Sequence, residues 1–428
     1  MAPLLSIDEA RAAVLDAVTP LAAEEVAVDD ALGRVLAEDV VAANDVPPFD
    51  NSAMDGFVVV AGPAGRELTI VGESRAGAPA DRAPGEGEAI RVSTGAAVPS
   101  GAGAGGAATA GEGGAAGGAA TAGEGGAAVP SGAAAGAALG VVPVEQTTET
   151  DGRVRVEADV APGQHLRRAG EDIARGRTVL RSGTLLGPAE LGVAVVAGRA
   201  SLRCAAAPRV ALLITGDELR DAGAPLSPGE IHESNGTTLG ALARRAGASV
   251  VHRQQVEDDH EATERAIADA LARADVLILS GGVSVGPHDH VKRALEANGV
   301  EERFWRVALR PGKPTWFGTT TDTLVFGLPG NPVSAMVTFL LFVRPALAKL
   351  QGADPRARRI RAPLLEAVER NPGRDEAVRV TLTVEGATPT GPQGSHQLTS
   401  MLNADGLAIV TAGDGTAQRG EHVEVDLL

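Results

Sequence analysis

The order of apolar and polar positions divides the chain into regions of different texture. Ser6-Ile7-Asp8-Glu9 is a capping box followed by apolar Val14, Leu15 and Val18, which predicts a helix ended by Thr19-Pro20. A second, short helix is predicted over 30–36, with Leu32, Val35 and Leu36 on one face. Apolar runs at 57–60, 68–71 and 89–92, separated by Gly and Pro, predict a small β-rich module. From Arg209 onward strands and helices alternate. Strands are predicted at 210–214, 248–251, 276–279, 304–309 and 324–327. Helices are predicted at 237–246, from the Asp258-Asp259 cap to 273, at 289–297, and from the Asn331-Pro332 loop to about 350. That alternation predicts an α/β domain with a doubly wound, mainly parallel sheet. Beyond Gly352 the β pattern returns at 377–384, 407–410 and 422–427, as in a small all-β C-terminal domain.

Residues 97–140 have no large-residue period. The block Gly-Gly-Ala-Ala-Thr-Ala-Gly-Glu-Gly-Gly-Ala-Ala at 105–116 recurs unchanged at 117–128, and Ala-Val-Pro-Ser-Gly-Ala occurs at 97–102 and again at 128–133. This is a tandem duplication without the apolar residues a stacking repeat needs, and it is expected to form a surface loop.

Composition narrows the function classes. Asp and Glu number 55 against 38 Lys and Arg, giving a net charge of −17. Such a chain is poorly suited to general nucleic-acid or anionic-membrane binding, so any anionic substrate requires a local concentration of positive charge. Tyrosine is absent and aromatics make up 2%, which nearly excludes base-stacking platforms. The single cysteine, Cys204, excludes a disulfide framework and a Cys-based zinc site. No stretch reaches 18 strongly apolar residues and the N-terminus lacks a basic, apolar leader, so a soluble, cytoplasmic chain is expected.

In an open α/β sheet, ligands bind beyond the carboxyl ends of the strands. Several predicted strands end in candidate chemistry: Thr215-Gly216-Asp217-Glu218, Ser280-Gly281-Gly282-Val283-Ser284-Val285-Gly286, Arg310-Pro311-Gly312-Lys313-Pro314 and Pro329-Gly330-Asn331-Pro332. Gly281-Gly282 permits positive φ and close approach of backbone N–H groups to an anion, although its spacing is neither GxGxxG nor a P-loop. Asn331 and Pro332 suit N-cap and N1 and would leave helix N–H groups free as an oxyanion site. Taken alone, this is equally a well-formed helix start. Arg303, Arg306, Arg310 and Lys313 cluster in an acidic chain. On a continuous strand, Arg306 and Arg310 would share one face, with Trp305, Val307 and Leu309 on the other. Candidate carboxylates are Asp50, Asp55, Glu218, Asp258 and Asp289. Carboxylates beside a phosphate-type loop commonly hold Mg²⁺, while Asp258 taken alone reads as a helix cap. His288 and His290 read as loop residues.

Together with Pro47-Pro48-Phe49-Asp50-Asn51-Ser52-Ala53-Met54-Asp55-Gly56, Gly170-Glu171-Asp172 and Gly-Leu-Pro-Gly-Asn-Pro-Val-Ser at 327–334, these motifs stand in the order found in one family. The chain resembles the MoeA (molybdopterin molybdenumtransferase) family and is similar to the E domain of gephyrin. The resemblance implies an elongated homodimer of four parts. These are an N-terminal helical and β module (1–50 and 146–180), a β-rich inserted module (51–145) carrying the repeat, a MogA/MoaB-like α/β domain (181–350) and a C-terminal β-barrel (351–428). It implies insertion of molybdate into adenylylated molybdopterin with Mg²⁺ and release of AMP.

Carried over by position, the resemblance makes Asp55, Glu218, Asp258 and Asp289 catalytic, with Glu218 and Asp289 holding the metal. Substrate would be bound by Asp50, Asn51, Ser52, Thr94, Ser280, Gly281, Gly282, Ser284, Lys292, Arg306, Pro329, Gly330, Asn331 and Pro332. Molybdate would meet Arg310, Lys313, Ser334, Arg379 and Ser400. The chain departs from the family pattern at Phe57, where Tyr is frequent, and in the Ala-rich segment after Thr-Gly-Ala. Two alternatives stay open: a MogA-like adenylyltransferase that consumes ATP, against which the 47–56 loop and the β modules speak, and a non-catalytic scaffold.

Overall fold

The computed structural model describes residues 4–99, 138–257, 259–282, 290–356 and 358–428. The chain gathers into two compact units, Met1–Val40 with Leu180–Gly192 and Ala200–Leu428, and Val41–Val179 with Val193–Arg199. Asp258, Ser284 and Asp289, and most of the 97–140 repeat, lie outside the described residues.

The first unit is built on a six-stranded sheet. Its strands are β1 (Arg209–Thr215), β2 (Ser249–Val256), β3 (Val276–Ser280), β4 (Glu301–Trp305), β5 (Trp316–Thr319) and β6 (Leu324–Leu328), in spatial order β2-β1-β3-β6-β5-β4. The helices are α1 (Ile7–Asp16), α2 (Asn235–Arg245), α3 (His260–Leu271), α4 (His290–Ala297) and the run Pro332–Leu350. β3 and β6 are buried along their whole length, so their sequences read as continuous apolar runs rather than as alternation. The pleat still sorts them. Val210 and Leu212 enter one core with α1, α2 and the long helix, whereas Ala211 and Leu213 enter another with α3 and α4.

The sheet is parallel across β2, β1, β3 and β6, then turns antiparallel through β5 and β4. The β5–β6 link, closed by a Thr320 N–H to Thr323 carbonyl bond of 2.9 Å, is too short for a crossover and forces the antiparallel edge.

Local expectations hold or fail for identifiable reasons. Ser6 and Glu9 form the complete capping box of α1. The helix expected over 30–36 is absent. A 3₁₀ turn at Val28–Asp30 gives way at Gly33 (φ +75°), and Val35 and Leu36 bridge instead to Leu185 and Cys204. The strand expected over 304–309 breaks at Arg306, whose φ is +76°, so Arg306 and Arg310 do not share one strand face. The residue that caps α3 is Asp259, which accepts the Ala262 N–H at 2.8 Å. Pro332–Leu350 does have the length and hydropathy of a membrane span, but 78% of it is buried in the fold, as in a core helix.

The C-terminal sheet runs Leu309–Arg310, Asp375–Thr383, Gly406–Val410, His422–Leu427 and Arg359–Pro363, with Gly386–Pro389 also paired to Asp375–Thr383. Leu364 bridges to Ala387, and the Leu365 N–H bonds the Ala387 carbonyl at 2.9 Å, so the sheet curls back on itself around Val378, Val380, Ala408 and Val425.

In the second unit a six-stranded sheet orders Leu139–Pro143, Gly56–Val60, Glu88–Val92, Glu67–Ser74, Arg153–Val156 and Thr147–Thr150. The β-rich module thus continues past residue 145, and 41–50 clusters with it.

Candidate active site

A cleft of about 490 Å³ opens beyond the carboxyl ends of β1, β3 and β6, where an open α/β sheet places ligands. Glu218, Ser280, Gly281, Gly282 and residues 329–332 all line it, so the motifs read from separate strands meet at one edge. Gly281 and Gly282 have φ of +91° and +65°. A Cβ on Gly281 would sit 2.5 Å from the Thr215 carbonyl oxygen, and one on Gly282 2.8 Å from Thr215 Oγ1. Only glycine lets this loop lie against the end of β1.

Sequence reasoning missed two further residues. Asn235, 7% exposed at the start of α2, donates from Nδ2 to Ser280 Oγ at 2.9 Å and to the Gly330 carbonyl at 2.8 Å, tying the two glycine loops together. Glu233 precedes it. Its carboxylate accepts the Gly236 N–H at 2.7 Å and Arg253 Nη2 at 2.6 Å, which fixes the helix start. The Glu-Ser-Asn run before an amphipathic stretch was the available signal, but it reads as ordinary capping chemistry.

Asn331 and Pro332 do occupy the N-cap and first turn of the long helix, although Asn331 makes no capping bond. Its Nδ2 reaches Ser395 Oγ at 3.3 Å, and the Val333 N–H bonds the Ser395 carbonyl at 3.2 Å. That N–H is therefore not free for an oxyanion.

Arg379 is fully buried. Its Nε donates to Ser400 Oγ at 3.2 Å and its Nη2 to the Gly394 carbonyl at 3.3 Å, while Nη1 has no partner among the described residues. Burial pushes this guanidinium down to about 10, with Glu376 opposing and Arg310 adding to the shift. Arg310 pairs with buried Glu376 at 3.6 Å. Lys313 is exposed, and its carbonyl accepts the Val307 N–H at 3.0 Å. Ser334 is buried. Arg306 stacks on Trp305, with Cζ 4.0 Å from the ring centroid. Lys292 pairs with Glu302 at 3.0 Å and lies 5.5 Å from the Trp305 centroid, away from the residues that line the cleft.

In the second unit, Asp55 Oδ1 accepts the Thr94 N–H at 2.6 Å and the Thr94 hydroxyl at 3.1 Å. Asp50 accepts from Arg168 Nη1 at 2.6 Å and the Ala169 N–H at 2.9 Å. Asn51 and Ser52 are buried in a short strand paired with Leu166–Arg167, and Asn51 Oδ1 has no partner among the described residues.

Residues 5–104 and 106–198 match a family described as the MoeA N-terminal region (domain I and II). Residues 211–349 match a probable molybdopterin binding domain, and 361–428 the MoeA C-terminal region (domain IV). A molybdopterin molybdenumtransferase of Haemophilus influenzae is 32% identical over 434 residues, covering 99% of this chain and 98% of that protein. The chain belongs to the MoeA family. A second relative, molybdopterin molybdenumtransferase 2 of Mycobacterium tuberculosis, is 37% identical over 400 residues, 89% of each chain. A MoeA crystal structure from Pyrococcus horikoshii superposes with a TM-score of 0.77 at 28% identity, covering 99% of this chain and 100% of that one. The MoeA assignment thus rests on family matches, relatives and fold together.

Proposed function

We propose that this MoeA-family enzyme transfers molybdenum from molybdate to adenylylated molybdopterin and releases AMP, as a cytoplasmic homodimer. The observation that carries the reading is the cleft, where two glycine loops from adjacent strand ends are clamped together by Asn235 against Thr215. Backbone loops of this kind suit a phosphate-bearing ligand. The buried Arg379 guanidinium beside Ser400, with Arg310 and Lys313, supplies the local positive charge that an oxyanion needs in a chain of net charge −17. Preorganised dipoles and charges of this sort act by positioning and electrostatic stabilisation.

The residues also fit Mg²⁺. Among the described residues no cluster of His, Cys, Asp and Glu forms an all-protein cage, and the cleft offers the carboxylates of Glu218 and of Glu233, the latter already paired with Arg253. That suits a cation held by one or two carboxylates plus substrate phosphates. Glu218 and Asp289 would hold it, and it would neutralise phosphate charge. Asp55, locked to Thr94, and Asp50, Asn51 and Ser52 are proposed as further substrate-binding residues.

The test is AMP release from adenylylated molybdopterin on adding molybdate and Mg²⁺, with active cofactor as the second readout. Release dependent on both additions supports the proposal. Consumption of ATP with formation of an adenylylated pterin would replace it with the adenylyltransferase reading, and no turnover of either would leave a binding protein.

A further inference from the structure

Asn235 Nδ2 carries two hydrogens and both are committed, one to Ser280 Oγ at 2.9 Å and one to the Gly330 carbonyl at 2.8 Å. A carbonyl only accepts, so the second bond fixes which end of the amide is nitrogen. The other end, Oδ1, is an acceptor. It is buried and, among the described residues, has no hydrogen-bond partner. Thr215 Oγ1, at the end of β1 on the same cleft, is also buried without a partner among the described residues. Both residues are more than nine-tenths buried, Asn235 at 7% and Thr215 at 6% exposure.

Buried polar atoms are nearly always satisfied, and two orphans lining one cleft require an explanation. Imperfect local structure does not supply one. The start of α2 is over-determined: Glu233 receives the Gly236 N–H and Arg253, and a Cβ on Gly236 would sit 2.6 Å from Arg253 Nε. Among the described residues no Phe, Tyr or Trp lines the cleft, and its one ring, exposed His232, lies with Nδ1 3.1 Å from the Asp221 carbonyl, so hydrogen bonds carry most of the recognition of a heterocycle entering it.

We propose that Asn235 is a positioning and specificity residue of this cleft. Its amide nitrogen clamps the end of β3, at Ser280, to the loop after β6, at Gly330. Its Oδ1, together with Thr215 Oγ1, is kept without a protein partner for an N–H or O–H donor of the bound ligand. This rests on the reading of the cleft as a site for a phosphate-bearing nucleotide–pterin conjugate. The donor has three candidate sources: the adenine amine, the ribose 3′-hydroxyl, and the 2-amino edge that a pterin shares with guanine.

Calorimetric titrations of the full chain with Mg²⁺ and AMP, IMP, GMP or 3′-deoxy-AMP separate these sources. AMP against IMP reports the adenine amine, GMP against IMP the 2-amino edge, and AMP against 3′-deoxy-AMP a ribose hydroxyl. Removing the recognised donor should weaken binding to the unaltered protein about tenfold or more, since a site built to meet a donor rejects the analogue that lacks it. In Asn235→Leu all ligands should weaken, as the clamp opens, and the gap between the paired ligands should close to about twofold. Thr215→Val should narrow the same gap while keeping the loops tied. A merely structural Asn235 would lower all affinities and leave the gap intact, which would overturn the specificity role. Equal binding of every pair to the unaltered protein would overturn it without any variant, so a misfolded substitution does not decide the matter. If no nucleotide binds the unaltered protein, the nucleotide reading of the cleft fails, and this inference with it.

Discussion

The Asp55 carboxylate accepts both hydrogen-bonding groups of Thr94, the backbone N–H at 2.6 Å and the hydroxyl at 3.1 Å. One oxygen, Oδ1, takes both bonds, so the side chain is held in a single orientation at the surface of the second unit. Thr94→Val keeps the N–H donor and the shape while removing the hydroxyl. The expected outcome is a fold of unchanged melting temperature, to within a few degrees, with AMP release slowed about tenfold by the loosened carboxylate. Asp55→Asn, which weakens acceptance at the same atom, should be slower still. Single-turnover rates of both variants beside their thermal unfolding curves check this, and unaltered rates would remove the pair from the chemistry.

Gly281 carries a conformation and a contact that no other residue fits. At φ +91°, with a Cβ position 2.5 Å from the Thr215 carbonyl oxygen, Gly281→Ala has to displace backbone rather than a flexible side chain. The expected cost is about 1–3 kcal/mol of stability, seen as a lower urea midpoint, with nucleotide affinity lost beyond what instability explains. Gly330→Ala is the control. Its Cβ meets nothing closer than Gly281 Cα at 3.7 Å, so its urea midpoint should stay near that of the unaltered chain.

Arg379 is a buried cation with one unmatched nitrogen, a costly element for a small β domain unless an anion uses it. Arg379→Met replaces it with an apolar side chain of similar length. Ser400 Oγ keeps its bond to the Gln397 carbonyl at 2.7 Å, so the surroundings stay largely satisfied. Stability should hold or rise, while the molybdate concentration for half-maximal AMP release rises tenfold or more. An unchanged molybdate response in a stable variant would assign Arg379 to architecture alone.

The strands that carry the cleft were legible because burial on both faces writes continuous apolar runs into 209–215, 276–280 and 324–328. The glycine loops followed from their place at those strand ends. The 30–36 segment was misread because Leu32, Val35 and Leu36 imitate a helical stripe, while Gly33 at φ +75° and pairing to Leu185 and Cys204 decide the conformation. The same tertiary override turned Arg306 out of strand geometry to stack on Trp305. Asn235 escaped notice because its importance lies in Ser280 and Gly330, distant residues that only the folded sheet brings within reach.

Glu88 offers a pH-resolved test of the second unit. Arg82 first, and then the Gly85 N–H, hold its carboxyl at about 2, below the ordinary 4.5. The folded state therefore binds this proton more weakly than the unfolded chain. The contribution is fully present above pH 4.5 and is lost as pH falls through about 2. Urea midpoints of the unaltered chain and Glu88→Gln should differ slightly at pH 6, the site being exposed, and converge as pH falls to about 2. A difference that persists at pH 2 would trace the effect to packing instead.

The tandem duplication makes a sharper prediction than its composition suggests. On the side nearest Thr94, Val98 is 8% exposed, and its N–H bonds the Asp50 carbonyl at 2.8 Å, so this stretch helps to hold the 47–56 loop. Deleting 97–127 nonetheless leaves these contacts replaceable, because Ala128-Val129-Pro130-Ser131-Gly132-Ala133 repeats 97–102 residue for residue. Val129 then follows Ala96 at the same distance in sequence as Val98 does now, with the same side chain and the same N–H. The shortened chain should fold with an unchanged melting temperature and release AMP at the full rate. Replacing Val98 by Asp in the full-length chain puts a charge into the space of a buried valine and should lower stability by about 1–3 kcal/mol. A shortened chain that loses activity while folding normally would show that the duplicated segment itself takes part in the reaction. One that gains activity would show that the insertion disturbs the Asp55–Thr94 pair.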